Sequence, residues 1–214
     1  MADGIVTLGD SLAHADVGWP RRLADATGLP LERRSANGAR SSDVLEQLAT
    51  LEADRRYDVG CLAVGTNDVL FDWSASDFAE RLTTIVTGLQ ARCEQVVVPT
   101  LSLQLFRFPG CGDLVRRRVV EANTAIRKQP VLVIDGTDLR RPRTFDVDRV
   151  HPSVVGHAVL ADRAAAALGL DVRPSDLLSE EERRSWRLGL VQTADYAARL
   201  VAKRVLGREP TPIG

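Results

Sequence analysis

Residues 5–12 read Ile5-Val6-Thr7-Leu8-Gly9-Asp10-Ser11-Leu12. The first four are apolar or β-branched and unbroken by charge, the pattern of a short strand buried on both faces. Glycine then ends the run, and an aspartate and a serine, both good helix-capping residues, follow it. A buried strand that turns at once into a helix start is the unit from which parallel sheets are built.

The same arrangement recurs along the chain. Residues 31–35, 59–64, 95–99 and 131–135 are further β-rich runs. Between them lie helical stretches. Residues 19–26 form a short one, closed by Gly28 and Pro30. Ser41 or Ser42 can cap the next, in which Val44, Leu45, Leu48 and Leu51 recur at helical spacing. Phe78, Leu82, Ile85, Val86 and Leu89 mark another, as do Val115, Val119, Ala122 and Ile126, and residues 154–168 make the last. Five strands alternating with helices predict an α/β fold: a three-layer, doubly wound sandwich around a five-stranded parallel sheet. The domain assignment is residues 1–170 for this body and 171–214 for a C-terminal helical extension.

Composition narrows the class. The chain has 214 residues, of which 44% are hydrophobic and 27% charged, enough for one sizeable core. A formal net charge of −1 gives no electrostatic support to nucleic-acid binding. No apolar run reaches the length of a membrane span, and residues 1–10 lack the pattern of a secretory signal. Cys61, Cys93 and Cys111 are too few and too scattered for a disulfide framework or a zinc site. These features predict a cytoplasmic protein.

In open α/β sheets, sites form in the loops beyond the carboxyl ends of the strands. The loops here carry Gly9-Asp10-Ser11-Leu12, Ala36-Asn37-Gly38-Ala39, Gly65-Thr66-Asn67-Asp68 and, after the last strand, Asp148-Arg149-Val150-His151. A serine hydroxyl becomes a useful nucleophile when a base takes its proton. Histidine suits that task near neutrality, and a carboxylate can fix its tautomer. Of His14, His151 and His157, only His151 has an aspartate three residues before it in a loop-like stretch. His14 and His157 read as structural or rim residues near helix starts. Taken singly, Ser11 is a helix cap, Gly38 a turn glycine, Asn67 a turn residue and Asp148 a solvated loop carboxylate. Their joint appearance, in order, carries the reading.

Over residues 4–168 the sequence resembles the SGNH hydrolases, also called GDSL esterases and lipases. Gly9-Asp10-Ser11-Leu12 reproduces the motif that names the family, Gly38 matches the glycine of the second block, Gly65-Thr66-Asn67-Asp68 the third, and Asp148-Arg149-Val150-His151-Pro152 the last. The resemblance implies a flavodoxin-like fold and a serine hydrolase cleaving carboxylic esters through an acyl-enzyme. It implies Ser11 as nucleophile, His151 as base and Asp148 as orienting acid. The oxyanion hole would be the backbone N–H groups of Ser11 and Gly38 with the side-chain amide of Asn67. Asp10 and Asp68 would tie loops together, and no metal and no organic cofactor is implied. An acyltransferase using the same intermediate is the alternative.

The substrate is less legible. Phe71, Trp73, Leu105 and Phe106 lie in loops beside the motif residues, and they are expected to line an apolar groove for the acyl chain of a small-molecule ester. Such a groove would favour longer chains by about 0.8 kcal/mol per buried methylene. In the extension, Trp186, Leu190, Ala194, Ala197, Val201 and Val205 form an apolar stripe. It is expected to pack on its own domain or to serve a homodimer contact.

Overall fold

The computed structural model describes residues 4–71, 73–105, 112–140, 143–146, 148 and 150–184. Its centre is a five-stranded, fully parallel sheet. The strands are β1 (Ile5–Gly9), β2 (Leu31–Arg33), β3 (Tyr57–Ala63), β4 (Cys93–Pro99) and β5 (Leu132–Ile134), in the order β2-β1-β3-β4-β5. The helices are α1 (Ser11–His14), α2 (Trp19–Thr27), α3 (Ser41–Ala49), α4 (Thr66–Leu70), α5 (Ala75–Gln90), α6 (Gly112–Arg127) and α7 (Val154–Ala167). Helix α2 packs with α7, while α3 packs with α5 and α5 with α6. The three-layer, doubly wound α/β architecture expected from the alternation of strands and helices is therefore present.

The order of the strands follows from burial. β1 and β3 are the most uniformly buried, and their register pairs Gly9 with Ala63 at the carboxyl end. Ile5, Leu8, Leu62 and Val97 have no exposed surface. β2 and β5 are the short edge strands; β2 is half-buried throughout, and in β5 Ile134 alone is buried. Strand β2 stops at Arg33, earlier than the expected run of residues 31–35. There the N–H groups of Arg34 and Ser35 both turn onto the Thr7 carbonyl, at 2.9 and 3.1 Å, and the ladder ends.

One helix start differs from the sequence expectation. Neither Ser41 nor Ser42 caps α3. Arg40 occupies the cap position with extended backbone, and the Asp43 carboxylate accepts its N–H at 2.8 Å. Ser41 is instead the first helical residue, and its hydroxyl is engaged elsewhere, as described below.

Beyond α7 a short 3₁₀ turn (Pro174–Leu177) lies against α2 and α7. The Ser175 N–H donates to Asp162 at 2.8 Å, and Arg22 of α2 donates to Glu182 at 2.7 Å. The apolar stripe from Trp186 to Val205, and the homodimer contact inferred from it, lie outside the described residues. Among the described residues no helix is long and apolar enough to cross a membrane.

Candidate active site

The carboxyl ends of β1, β2 and β3 are adjacent, so the three loops that leave them meet. Hydrogen bonds fix how they meet. The Asp10 N–H donates to the Ala63 carbonyl at 2.9 Å and the Ala36 N–H to the Gly9 carbonyl at 3.0 Å. The Asn67 amide donates to the Ala39 carbonyl at 3.0 Å. The buried Asp68 carboxylate accepts both the N–H of Ser41, at 3.1 Å, and its hydroxyl, at 2.5 Å. The loops carrying Gly38 and Asn67 are thereby tied to each other and to the end of β1.

Gly9 must be glycine. Its φ is +126°, and a Cβ there would lie 1.9 Å from the Ala63 carbonyl oxygen. At Gly38 the reason is the backbone alone: φ is +77°, and a Cβ would meet open space. Steric relief from the rest of the chain is not what selects glycine there; the left-handed conformation is.

Asp10 caps α1, accepting the Leu12 N–H at 2.9 Å. Ser11 then begins the helix, half-buried, with its Oγ 2.6 Å from His151 Nε2. On the far side of the ring, Nδ1 lies 2.5 Å from Asp148 Oδ2. The partners fix the tautomer: Nδ1 donates to the carboxylate, leaving Nε2 to accept the serine proton. The other oxygen of Asp148 accepts the N–H groups of Val150 and His151 at 2.8 and 3.0 Å. The loop is closed behind them by an antiparallel bridge between Phe145 and Pro152 and by the Asp146 N–H on the His151 carbonyl at 2.8 Å.

The electrostatics are divided between the acids. Burial works to raise the pKa of Asp148, but the His151 ring and the two backbone N–H groups outweigh it and hold the carboxyl below its ordinary value of 3.8. His151 is raised above 6.5, chiefly by its bond to Asp148 and against the effect of burial. Asp10, with no exposed surface, is pushed by burial up to about 7, although the Leu12 N–H, Thr66 and the charge of His151 pull the other way.

The remaining histidines have other surroundings. His157 is buried in the first turn of α7, and burial, with the charges of Arg22 and His151, depresses it to about 3. His14 Nδ1 is bonded to the Ser35 carbonyl at 2.7 Å.

Of the apolar residues expected to form a groove, the three described ones, Phe71, Trp73 and Leu105, do not gather in one place. Leu105 is buried and helps wall a small cavity with Leu12, which follows Ser11, with Val150 and Pro152, which flank His151, and with Leu101 and Phe145. The cavity offers ≈ 20 Å³ to a water-sized sphere. Phe71 is 58% exposed and lines none of it. Trp73 is turned away: its indole N–H donates to Glu121 at 2.7 Å, and its ring lies 5.3 Å from that of Phe78. Phe106 lies outside the described residues. Among the described residues no cluster of His, Cys, Asp and Glu could hold a metal ion.

Two participants escape a reading of the sequence. Ser41 looks like a helix cap and is a tie between loops. Gln47, in the middle of α3, looks like an ordinary polar position on an amphipathic helix, yet its amide bonds both the N–H and the carbonyl of Gly9.

Residues 7–159 match the model of the GDSL-like lipase/acylhydrolase family. The chain belongs to that family and is a carboxylic ester hydrolase of the SGNH type. No curated protein matches its sequence. Solved structures match its fold. One is a protein of Slackia heliotrinireducens assigned to the SGNH hydrolases, 19% identical, with a TM-score of 0.63 over 79% of this chain and 100% of the other. Another is LAE5, an α/β hydrolase enzyme from the metagenome of Lake Arreo in Spain: 20% identity, TM-score 0.63, covering 78% and 96%. A third is Axe2, an acetylxylan esterase of Geobacillus stearothermophilus: 15% identity, TM-score 0.60, covering 80% and 98%.

The state of Asp10 makes stability depend on pH. Its folded value, about 7, stands above the ordinary 3.8, so between those limits the folded chain keeps a proton that the unfolded chain gives up. Asp10 therefore disfavours folding increasingly as pH rises from 4 to 7. Asp10→Asn keeps the acceptor for Leu12 and removes the titration. The melting temperature of the variant relative to wild type is expected to be higher at pH 8 than at pH 4. An equal difference at both pH values, measured by calorimetry, would contradict the buried acid.

Proposed function

We propose that the protein hydrolyses esters of short acyl groups through an acyl-enzyme on Ser11. The observation that carries this reading is the unbroken hydrogen-bond chain from Ser11 Oγ through His151 to Asp148. Ser11 Oγ attacks the ester carbonyl carbon while its proton passes to His151 Nε2. Asp148 holds the ring in place and stabilises the imidazolium. The negative charge that develops on the carbonyl oxygen is received by the N–H groups of Ser11 and Gly38 and by the Asn67 amide. Among the described residues no internal acceptor takes either backbone N–H, and the Asn67 amide has a second hydrogen beyond the one given to Ala39. The imidazolium then returns the proton to the leaving alcohol. Water, activated by the same imidazole, releases the acid in the second half.

The reading of a small acyl group is supported by the cavity beside the site, which is walled by sequence neighbours of Ser11 and His151 and not by those two residues themselves. Its ≈ 20 Å³ is the space of one or two waters rather than of an alkyl chain. That volume suits an acetyl or similarly small group. The acetylxylan esterase among the fold relatives is named for a substrate of that kind.

Ser11→Ala is expected to leave the fold intact, to abolish labelling by a fluorophosphonate probe, and to lower kcat by roughly 10⁴–10⁶-fold. Retention of wild-type turnover would remove Ser11 from the mechanism.

The base must be neutral to act, so kcat/KM falls as pH drops through the value of free His151, which lies above 6.5. The bond to Asp148 is the largest cause of that rise, and Asp148→Asn is expected to move the acid limb to lower pH while reducing kcat. A limb that stayed in place would show that another group sets it.

With p-nitrophenyl esters, kcat/KM is expected to be highest at acetate or propionate and to decline with longer chains. Leu105→Ala, which enlarges the cavity, should shift the maximum toward butyrate. A climb of about fourfold per carbon, the increment for burying a methylene, continuing to octanoate in the wild type would replace this reading with an open groove.

A further inference from the structure

We infer that Gln47 is a positioning residue for the nucleophile, acting through the backbone of Gly9. This inference rests on the reading of Ser11 as nucleophile.

Gly9 is the last residue of β1 and stands two positions before Ser11. On one side its strand is held by β3, with the Asp10 N–H on the Ala63 carbonyl at 2.9 Å. On the other side β2 has already ended at Arg33, so no strand residue is left to take the Gly9 N–H. Gln47 supplies the missing partner. From the second turn of α3 its Oε1 accepts the Gly9 N–H at 2.7 Å, and its Nε2 donates to the Gly9 carbonyl at 3.0 Å. One amide side chain thus imitates the paired bonds of an extra strand residue.

The chemistry of the clamp is demanding. It needs a donor and an acceptor side by side on one planar group; the amides of Asn and Gln present both without charge at any working pH, whereas a carboxyl group does so only when protonated. Asn is one methylene shorter. An ionised Glu would keep the acceptor and set a second negative oxygen against the Gly9 carbonyl. Ala or Met would leave a strand-end N–H without a partner, which costs free energy where water cannot replace it. The backbone so held is unusual: its φ of +126° and its approach to Ala63 leave Gly9 no side chain with which to anchor itself. The direction of the peptides after Gly9 sets where the Ser11 N–H and Oγ point. A small misplacement of a reacting group lowers the rate while leaving ground-state binding largely untouched.

Gln47→Ala and Gln47→Glu, each with the full chain, test the inference against p-nitrophenyl acetate. Gln47→Ala is expected to lower kcat by roughly ten- to a hundredfold with KM within about twofold, and to slow fluorophosphonate labelling in parallel. In Gln47→Glu the protonated carboxylic acid again offers a donor and an acceptor. The activity of this variant divided by that of wild type is expected to rise at least ~threefold from pH 8 to pH 5.5 as the carboxyl takes up its proton. Division by wild type removes the titrations of His151 and Asp10 common to both. A merely structural glutamine would change melting temperature without that pH signature. If Gln47→Ala does not fold, the ratio for Gln47→Glu decides alone. Wild-type kcat in folded Gln47→Ala, or a ratio flat across pH in Gln47→Glu, overturns the inference. An active Ser11→Ala would instead overturn the reading of the nucleophile, so the two failures are distinct.

Discussion

The close approach of Gly9 to Ala63 is the constraint on which the arrangement of the site depends. The two residues are paired at the ends of the central strands, with no room for a carbon between the Gly9 backbone and the Ala63 carbonyl. Because the strands are parallel and adjacent, the loops that follow them leave the sheet at the same end. One carries Ser11 and the other Asn67. The edge strand β2 adds Gly38 from the opposite flank of β1, and its early end opens the gap that Gln47 fills.

Around that point three aspartates of identical chemistry stand in three surroundings. Asp148 accepts hydrogen bonds at both oxygens and is held in its charged form. Asp68 spends its carboxylate on the backbone and hydroxyl of Ser41, a mechanical link between two loops. Asp10 has one backbone bond and complete burial, and desolvation dominates it. The differences come from how many donors the fold brings to each group, since burial without donors penalises the charged form.

The fold was legible because most of its strands contain short apolar runs and its helices carry regular apolar spacing, both direct consequences of burial on a two-sided sheet. Ser11, Asp148 and His151 stood out because an aspartate three residues before a histidine can reach its ring, and the structure joins Ser11 and Asp148 each to His151. Gln47 and the true partner of Ser41 were illegible for the opposite reason: their hydrogen bonds join residues 38 and 27 positions apart, and nothing local marks them. Trp73 misled in another way. Its size and its place after the Asn67 loop suggested a groove wall, whereas its indole N–H needed an acceptor, and Glu121 on α6 provides it. Aromatic residues in a loop near a site report on apolar area, and not on which way that area faces.

The bridge between Phe145 and Pro152, with the Asp146 to His151 bond inside it, turns the histidine loop into a small closed ring. Phe145 is buried and seats the ring on the body of the protein, while Ser153 caps α7 immediately after it. His151 and Asp148 are therefore mounted together as a preassembled cassette. Among the described residues, the connection that leads into the ring from β5 gives no side-chain hydrogen bond to the pair. It is anchored in the body of the protein instead: a Cβ on Gly136 would come within 2.2 Å of the Thr100 carbonyl oxygen, and Leu139 is buried and walls the cavity beside the site. A change in that connection therefore reaches the cavity wall before it reaches His151 and Asp148.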